Sequence, residues 1–327
     1  MLVALIMACT QNEVESGGGK EALPPLVIYS GRGEAMVGGL LKQAEAELGF
    51  ELEVQYGSTP EVVTRLLAEG EQSPADVVFA QDAGHLGVLS ERGMLQKLDE
   101  KLLSAAGEAF QDSGGRWVGV SGRLRVLVYN PETVGEEELP RSLSELSDPK
   151  WSGRLGWAPA NGSLLSHLSA LRHIWGEEET RAWVQGVSAN AKAFPKNSPQ
   201  VKAADEGILD IGWVNHYYLH RLDAGSRKAR NHSFAPGDGG NLMMVSGAGI
   251  RTGSERGEQG EKLIAWLLSD EAQTYFSQTN FEYPAVQAIP VHPEVRPLEP
   301  GLLAEVDQSA LSDLGGTRQM MQSLGLQ

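Results

Sequence analysis

The feature that most constrains the fold of this chain is a regular alternation of short apolar runs and helical patterns. The apolar runs are LVIY at 26–29, ELEVQYG at 51–57 and VVFA at 77–80, and a helical pattern follows each of them. The second helix begins at Thr59, which we expect to be its N-cap, with proline at the next position. Alternation of this kind is typical of a parallel or mixed sheet with helices on both faces. We therefore expect an α/β fold.

The middle of the chain carries two more apolar runs with no helical pattern between them. These are RWVGVSG at 116–122 and LRVLVYNPETV at 124–134. We expect two successive strands here, at a crossing between two lobes. The length of 327 residues is sufficient for two domains.

Composition narrows the class of protein. Apolar residues make up 41% and charged residues 21% of the chain, which indicates a globular protein rather than a disordered or membrane-spanning one. The formal net charge of −16 argues against nucleic acid or an anionic membrane surface as the partner. Neither a G-x-S-x-G motif nor a Walker loop occurs, which argues against a hydrolase or a nucleotidase.

The amino terminus resembles a lipoprotein signal. The apolar run LVALIMAC ends at Cys9, the single cysteine, and residues 10–25 are polar and rich in glycine and proline, as a flexible tether is. The first basic residue is Lys20, so the basic segment that usually precedes such a run is missing. Either the signal starts upstream of Met1 or the similarity arose by chance. On the first reading, Cys9 carries a lipid and residues 1–8 are removed.

The stretch Asp210–Arg221, DIGWVNHYYLHR, holds the strongest candidate for a site. It begins as an apolar strand and continues with the adjacent pair Tyr217 and Tyr218. Adjacent side chains point to opposite faces of a strand but diverge less at a helix start, so these two phenols can converge. In open α/β sheets, ligands bind at the carboxyl ends of strands. The same stretch holds an i,i+4 pair, His216 and His220, which suggests zinc as a weaker alternative because no HExxH motif accompanies it.

Several motifs together resemble the periplasmic ferric-ion-binding proteins, the receptor components of ABC-type iron(III) importers. The resemblance extends from Leu26 to about Pro290. It rests on YSGRGE at 29–34, PADVVFAQDAG at 74–84, GVSGRLRVLVYNP at 119–131, DPKWSGRLGWAPANGS at 148–163, KNSP at 196–199, WVNHYY at 213–218 and NFEYP at 280–284.

This resemblance implies an α/β fold of the two-lobe periplasmic-binding-protein type (type II), with the ligand in the cleft between the lobes. We expect a signal and tether at 1–25, an amino-terminal lobe at 26–125 plus 250–295, and a carboxyl-terminal lobe at 126–249 plus 296–327. It also implies a non-enzymatic, monomeric receptor in the periplasm or on the outer face of the cytoplasmic membrane. Its partners would be an ABC permease and the associated ATPase, and any lipid anchor would be its one attachment to the membrane.

The resemblance further implies a ligand set for Fe³⁺. Tyr217, Tyr218 and Tyr129 match the metal-binding tyrosines, and Arg32 matches an arginine that holds a carbonate-type synergistic anion. The positions that match residues binding a phosphate-type anion in relatives are Asn161, Gly162, Ser163, Asn197 and Asn215. Phenolates suit Fe³⁺, because a small, highly charged cation prefers anionic oxygen ligands.

The first lobe departs from the family pattern. Gly33 and Glu34 stand where many relatives have a histidine or a histidine-tyrosine pair, and Gln81 stands where others have a glutamate ligand. A bidentate anion held by Arg32 would fill two positions around the metal, and Glu34 is the competing first-lobe ligand.

Two alternative functions remain open at this point. One is a receptor on the same fold for a polyamine, thiamine or an oxyanion. The other is an enzyme such as a transferase similar to porphobilinogen deaminase, which needs a cysteine inside the fold to attach its cofactor, and Cys9 lies before the fold begins.

Overall fold

The structure, a computed structural model, describes residues 24–306 and 308–326. Cys9, and with it the predicted lipid attachment, lies outside the described residues. The strands are β1 (Leu26–Ser30), β2 (Leu52–Tyr56), β3 (Val77–Ala80), β4 (Val118–Tyr129), β5 (Leu155–Trp157), β6 (Ala191–Ala193), β7 (Ile211–Asn215), β8 (Arg230–His232), β9 (Met243–Ile250) and β10 (Tyr283–Pro284).

From β1 to the third helix, the α-helices alternate with the strands as the sequence predicts. They are α1 (Glu34–Leu48), α2 (Thr59–Glu69), α3 (Ala83–Glu91), α4 (Glu100–Ala105), α5 (Gly162–Ile174), α6 (Glu177–Asn190), α7 (Asn197–Asp205), α8 (Gly257–Leu267), α9 (Asp270–Gln278) and α10 (Leu314–Ser323). Short 3-10 helices cover Gly70–Gln72, Glu108–Phe110, Glu136–Glu138, Leu143–Ser147, Pro149–Trp151, His216–Arg221 and Gln308–Leu311. No helix in the described part of the chain combines the length and apolar character that crossing a membrane requires.

The strands form one mixed sheet in the order β2-β1-β3-β9-β4-β7-β5-β6, with β8 and β10 also paired to β4. The pairs β1–β2, β1–β3, β5–β6 and β5–β7 are parallel, and the pairs made by β4 and β9 are antiparallel. The α/β prediction is thereby confirmed.

Strand β4 joins the two halves of the sheet. Its first part pairs with β9, and its last part, from Arg125, pairs with β7. The sequence predicted two successive strands at this place, whereas the structure has one strand of 12 residues, all of them buried. A continuously buried strand must keep its ladder hydrogen bonds, since an unpaired buried backbone group is costly.

The buried apolar residues form two clusters, one around β1, β3 and β9 and one around β5, β7, α5 and α6. The second cluster draws residues from 127–234 and also takes in Met320 and Met321 of α10. Strand β9, which the predicted boundaries place largely in the carboxyl-terminal lobe, packs with the first cluster. The boundaries 26–125 plus 250–295 and 126–249 plus 296–327 remain a prediction.

Helix α2 shows how the local sequence sets an element boundary. Its N-cap is Ser58, one residue before the predicted Thr59, because Ser58 and Glu61 form a reciprocal capping box. The Ser58 hydroxyl accepts from the Glu61 N–H at 3.4 Å, and Glu61 Oε2 accepts from the Ser58 N–H at 2.8 Å.

Candidate functional site

The two adjacent tyrosines lie where the buried strand β7 turns into the 3-10 helix His216–Arg221. The change of backbone conformation brings successive side chains to one side of the chain. The rings of Tyr217 and Tyr218 stack, with 4.5 Å between their centroids and 28° between their planes. Tyr217 is 4% exposed and Tyr218 is half-buried. The structure therefore brings the two phenols together.

The tyrosine pair borders a cavity of about 560 Å³ between segments that are far apart in sequence. The β1–α1 turn, the end of β3, the 3-10 helix and residues 279–281 all contribute to its lining. The lining residues are Arg32, Gly33, Ala35, Met36, Gln81, Tyr217, Tyr218, His220, Arg221, Thr279, Asn280 and Phe281.

Arg221 lies across the rings of the pair. Its guanidinium carbon is 5.0 Å from the ring centroid of Tyr217 and 4.6 Å from that of Tyr218. Its Nη2 reaches the Sδ atom of Met36 on α1 at 3.6 Å. This side chain therefore connects the tyrosine turn to α1.

Arg32 lies on the same cavity, paired with a buried carboxylate. Its Nη2 donates to Oε1 and Oε2 of Glu282 at 3.0 and 2.9 Å, and the two side chains are 2% and 1% exposed. Ser121 also donates to Glu282, at 2.9 Å. Burial lowers the pKa of Arg32, but Glu282 more than offsets this effect, so the pKa lies above its usual value. Arg32 is thus already engaged by a protein carboxylate.

A second set of donors meets at Ser163, in the first turn of α5. Its Oγ receives Nη2 of Arg123 at 3.3 Å, Nε2 of Gln81 at 3.4 Å and Nδ2 of Asn215 at 3.4 Å. Asn161 caps the helix by accepting from the N–H of Leu164 at 3.3 Å. One hydroxyl oxygen has two lone pairs, so three long hydrogen bonds leave these donors incompletely satisfied. The N-terminus of a helix beside such donors is suited to an anion.

Among these donors, Arg123 has the most unpaired N–H groups that an anion could accept from. It is 1% exposed, and its Nε and Nη1 have no hydrogen-bond partner among the described residues. Burial lowers its pKa, the direction expected when a charge is taken from water without full compensation. Arg125, two residues further along β4, is also buried, and burial lowers its pKa to about 9.

The interior beside the tyrosines is therefore positively charged. Arg32, Arg123 and Arg125 are all buried here, and the buried carboxylates acting on Arg123 are Glu282 and Asp82. Glu282 is paired with Arg32 and Asp82 with Nδ1 of His85 at 2.7 Å. A buried positive charge without a full counter-charge favours binding of a negatively charged group.

The phenol of Tyr217 is neutral in this environment. Burial is the main cause that raises its pKa, and the neighbouring Tyr218 raises it further, while Arg123 acts in the opposite direction. A bound metal cation reverses this balance, because its charge favours the phenolate.

Tyr129, the third predicted metal ligand, is not at this site. It pairs with Ile211 at the amino end of β7, whereas the tyrosine pair follows the carboxyl end. At about 3.3 Å per residue, roughly 13 Å separate the two ends of β7. The Tyr129 hydroxyl donates to Glu136 at 2.9 Å, and its side chain lines a separate cavity of about 780 Å³. The prediction that Tyr129 joins the other two tyrosines is wrong.

Glu34 also lies away from the pair. It is exposed on α1 and lines a separate surface groove with Gly38 and Tyr56, while its neighbour Gly33 lines the cavity of the tyrosines. The structure therefore does not support Glu34 as a metal ligand.

The predicted anion-binding residues separate into two groups. Asn161, Gly162, Ser163 and Asn215 lie at or next to the start of α5. Asn197 is buried at the start of α7, where its Oδ1 accepts from Gln200 at 3.3 Å. Its Nδ2 has no hydrogen-bond partner among the described residues.

The histidine pair does not form a metal site. Nδ1 of His216 accepts the N–H of Leu124 at 3.2 Å, and its Nε2 bonds the Phe281 carbonyl at 2.7 Å, so neither ring nitrogen is left to bind zinc. His220 stacks on Phe281, and its Nδ1 lies 3.3 Å from Glu294. Within the described ranges, no three His, Cys, Asp or Glu side chains group as a metal site.

Sequence reasoning missed two contributors, Arg123 and Glu282. A signal for the first was present, because Arg123 and Arg125 alternate with apolar residues in a run that otherwise reads as a buried strand. Because charged residues are almost never fully buried unless they are paired, an arginine in such a run indicates a buried partner of opposite charge. No local pattern marks Glu282, whose partner lies 250 residues away in the chain.

A family model described as a bacterial extracellular solute-binding protein matches residues 72–301. A relative from Serratia marcescens named "Fe(3+)-binding periplasmic protein" is 28% identical over 292 residues, which are 88% of this chain and 86% of the relative.

Two solved structures extend the similarity to the fold. Iron-bound HitA from Pseudomonas aeruginosa superposes with a TM-score of 0.88 at 29% identity, covering 93% of this chain and 100% of HitA. A Trichodesmium protein in complex with iron and citrate has a TM-score of 0.82 at 27% identity, with 93% and 100% covered. These matches confirm the resemblance drawn from the motifs and the predicted periplasmic-binding-protein fold.

Proposed function

Because the chain belongs to the family of bacterial extracellular solute-binding proteins, we propose that it captures Fe³⁺ in the cavity bordered by Tyr217 and Tyr218. The observation that carries this proposal is the stacked phenol pair at the carboxyl end of β7, beside buried arginines. The Serratia relative and iron-bound HitA, which match most of the chain, support the same cargo.

The chemistry of the pair fits a ferric ion. Fe³⁺ is a hard cation that prefers anionic oxygen donors. Each phenol loses its proton on binding, and each phenolate neutralises one unit of the metal charge. Neutral imidazoles or thiolates would suit softer divalent metals better.

Two phenolates leave the metal short of ligands, and we assign the remainder to an anion of carbonate or phosphate type and to water. The anion would lie between Arg123, Ser163, Asn215 and Gln81, at the start of α5. The resemblance assigns this anion to Arg32, but the pairing of Arg32 with Glu282 favours a different role, in which the two side chains border the site. The citrate in the Trichodesmium relative supports an anion beside the metal.

The cellular setting follows from the family. We propose that this chain delivers its cargo to an ABC permease driven by its ATPase, without catalytic activity of its own, and acts as a monomer. Its place would be the periplasm or the outer face of the cytoplasmic membrane, with Cys9 as the lipid-anchored residue. Mass spectrometry of the native membrane fraction tests the anchor, and an intact, unmodified Met1 would exclude it.

The decisive experiment is a visible spectrum of the purified protein after addition of ferric citrate. Tyrosinate ligands give iron a charge-transfer band, which zinc does not produce. We expect the band in the wild type and its loss in Tyr217→Phe. A colourless wild-type protein that leaves all the iron with citrate would refute the proposal.

A receptor for an oxyanion alone is the second candidate, because the buried arginines favour an anion without requiring a metal. The same positive interior opposes polyamines and thiamine, which are cations. Calorimetric titration with phosphate in the absence of iron separates the two functions. Phosphate binding of equal strength with and without iron would favour the oxyanion receptor.

A further inference from the structure

His216, the residue immediately before the tyrosine pair, is held by two backbone groups from distant parts of the chain. The N–H of Leu124 donates to Nδ1 at 3.2 Å, and Nε2 bonds the carbonyl of Phe281 at 2.7 Å. Because Nδ1 accepts, the proton of the neutral ring resides on Nε2. The side chain is 3% exposed, so water does not replace these bonds.

These two backbone groups belong to residues that are adjacent in sequence to charged residues of the site. Leu124 lies on β4 between Arg123 and Arg125. Phe281 precedes Glu282, which pairs with Arg32. One imidazole therefore connects the tyrosine turn to the strand that carries Arg123 and to the segment whose Glu282 pairs with Arg32. A third bond, from Nδ2 of Asn231 to the His216 carbonyl at 2.9 Å, fixes the backbone of the turn.

The backbone of Phe281 shows that this connection is constrained. With φ of 57°, it is the one non-glycine residue in the described ranges that has a positive φ. A bulky side chain adopts this conformation only where the surroundings enforce it. The Phe281 ring is stacked on His220 at 4.7 Å and contacts His292 at 4.4 Å, while its carbonyl accepts from His216.

We propose that His216 is a positioning residue that sets the phenols of Tyr217 and Tyr218 against Arg32 and Arg123. The consequence for iron rests on the proposed function, whereas the placement of the phenols is a property of the metal-free protein. His216 does not touch the cargo in this assignment. It acts through the turn that it holds.

Two substitutions at His216 test the assignment. His216→Phe keeps an aromatic ring but removes both hydrogen bonds, and His216→Gln restores one donor and one acceptor. The matched control is His167→Phe, because His167 is also a fully buried imidazole bonded to a backbone carbonyl, that of Gly239 at 2.7 Å. It lies within α5, where its ring packs on Trp213, and its hydrogen bond goes to Gly239 rather than to either backbone group that holds His216.

Crystal structures of the metal-free variants give the first measurement. We expect His216→Phe to shift the phenols relative to Arg32 and Glu282 while the sheet stays unchanged, and His167→Phe to leave them in place. Phenols that keep their wild-type positions in His216→Phe would overturn the proposal, whatever metal the protein binds.

Iron binding gives the second measurement, by competition with citrate and from the charge-transfer band. We expect His216→Phe to lose roughly 10–100-fold in affinity with a displaced band, as changes behind metal ligands typically do. His216→Gln should recover most of the loss, and His167→Phe should bind as the wild type does. An equal loss in His167→Phe would show general destabilisation and refute a positioning role.

A third measurement does not depend on any variant folding. Nitrogen NMR of the wild type should show His216 as the tautomer protonated at Nε2, with that proton in a hydrogen bond. The opposite tautomer would overturn the proposal. A wild-type protein that fails to bind iron would refute the proposed function alone, since the crystal structures and the tautomer still decide the role of His216.

Discussion

At the scale of single residues, neighbouring groups shift the pKa of Tyr217 in opposite directions. Burial and the neighbouring Tyr218 raise its pKa, and Arg123 lowers it. The phenol is therefore protonated in the metal-free protein, and only a strong cation converts it to the ligand form. This arrangement makes binding sensitive both to the identity of the metal and to the concentration of protons.

The tyrosines themselves supply the first prediction. Tyr217→Phe or Tyr218→Phe removes a proposed anionic ligand, so we expect a loss of iron affinity beyond the roughly 10–100-fold typical of changes behind the ligands. Tyr129→Phe is the control, because its hydroxyl bonds Glu136 outside the site. Citrate competition measures all three. A Tyr129→Phe variant that loses as much iron affinity as the other two would show that Tyr129 is a metal ligand after all.

The dependence on pH is the second prediction. Since the Tyr217 phenol is protonated before binding, its conversion to phenolate releases a proton, and iron affinity falls as the pH falls. The logarithm of the affinity plotted against pH should therefore have a positive slope. Competition titrations between neutral pH and about pH 5 measure this slope. An affinity that stays constant over this range would contradict ligation by a phenolate.

Arg123 supplies the third prediction. Metal-free protein prepared without bicarbonate and phosphate should bind iron poorly until one of these anions is returned. Arg123→Met should abolish this response, because it removes the buried donors that would hold the anion. Arg65→Met removes one positive charge at an exposed position and is the control. Wild-type iron binding of equal strength with and without these anions would refute the anion site.

At the scale of elements, the turn between β1 and α1 places Arg32, and two glycines flank that residue. A Cβ atom on Gly31 would lie 2.2 Å from Oγ1 and 2.8 Å from Cα of Thr59 in α2. A Cβ atom on Gly33 would meet nothing within 4 Å, and Gly33 has φ of −64°. Close packing of α2 against this turn therefore requires glycine at the first position only.

The fourth prediction follows from this pair of glycines. Gly31→Ala should lower the free energy of unfolding by about 1–3 kcal/mol, as overpacking does, and should also weaken iron binding by moving Arg32. Gly33→Ala should leave the free energy unchanged or raise it by about 0.4–1 kcal/mol. Urea denaturation measures both variants. The reverse order of stability would contradict the packing of α2 on this turn.

At the scale of the whole molecule, charge is distributed unevenly. The chain carries a formal charge of −16, while the interior beside the tyrosines holds three buried arginines. Surface charges are screened over about 8 Å at physiological ionic strength, whereas buried charges are screened far less. The acidic surface therefore affects mainly the solubility of the protein and its rate of encounter with ligands. The buried arginines determine whether the site binds an anion or a cation.

Stabilisation by the cargo is the fifth prediction. A ligand that binds only the folded protein should stabilise it by about 2.7 kcal/mol at a free concentration of 100 times Kd. Adding iron should raise the thermal midpoint, and a chelator should reverse the rise. In Tyr217→Phe the midpoint should not respond. A midpoint that rises equally in this variant would indicate that iron binds elsewhere.

The sequence alone determined the elements that depend on local patterns. Apolar runs, glycine and proline positions and the YY pair after a strand specified the α/β fold and the position of the phenols. The resemblance to relatives led to a wrong ligand, Tyr129, because a sequence motif does not show which strand ends lie together.

The tertiary structure decided what lies beside the phenols. Antiparallel pairing of β4 with β7 places Arg125 opposite Asn215 and sends Tyr129 to the far end of the strand. The fold also brings Glu282 to Arg32 across 250 residues and Gln81 to Ser163 across 82. Strand register and such distant pairings arise from how whole elements pack, so no local stretch of sequence contains them.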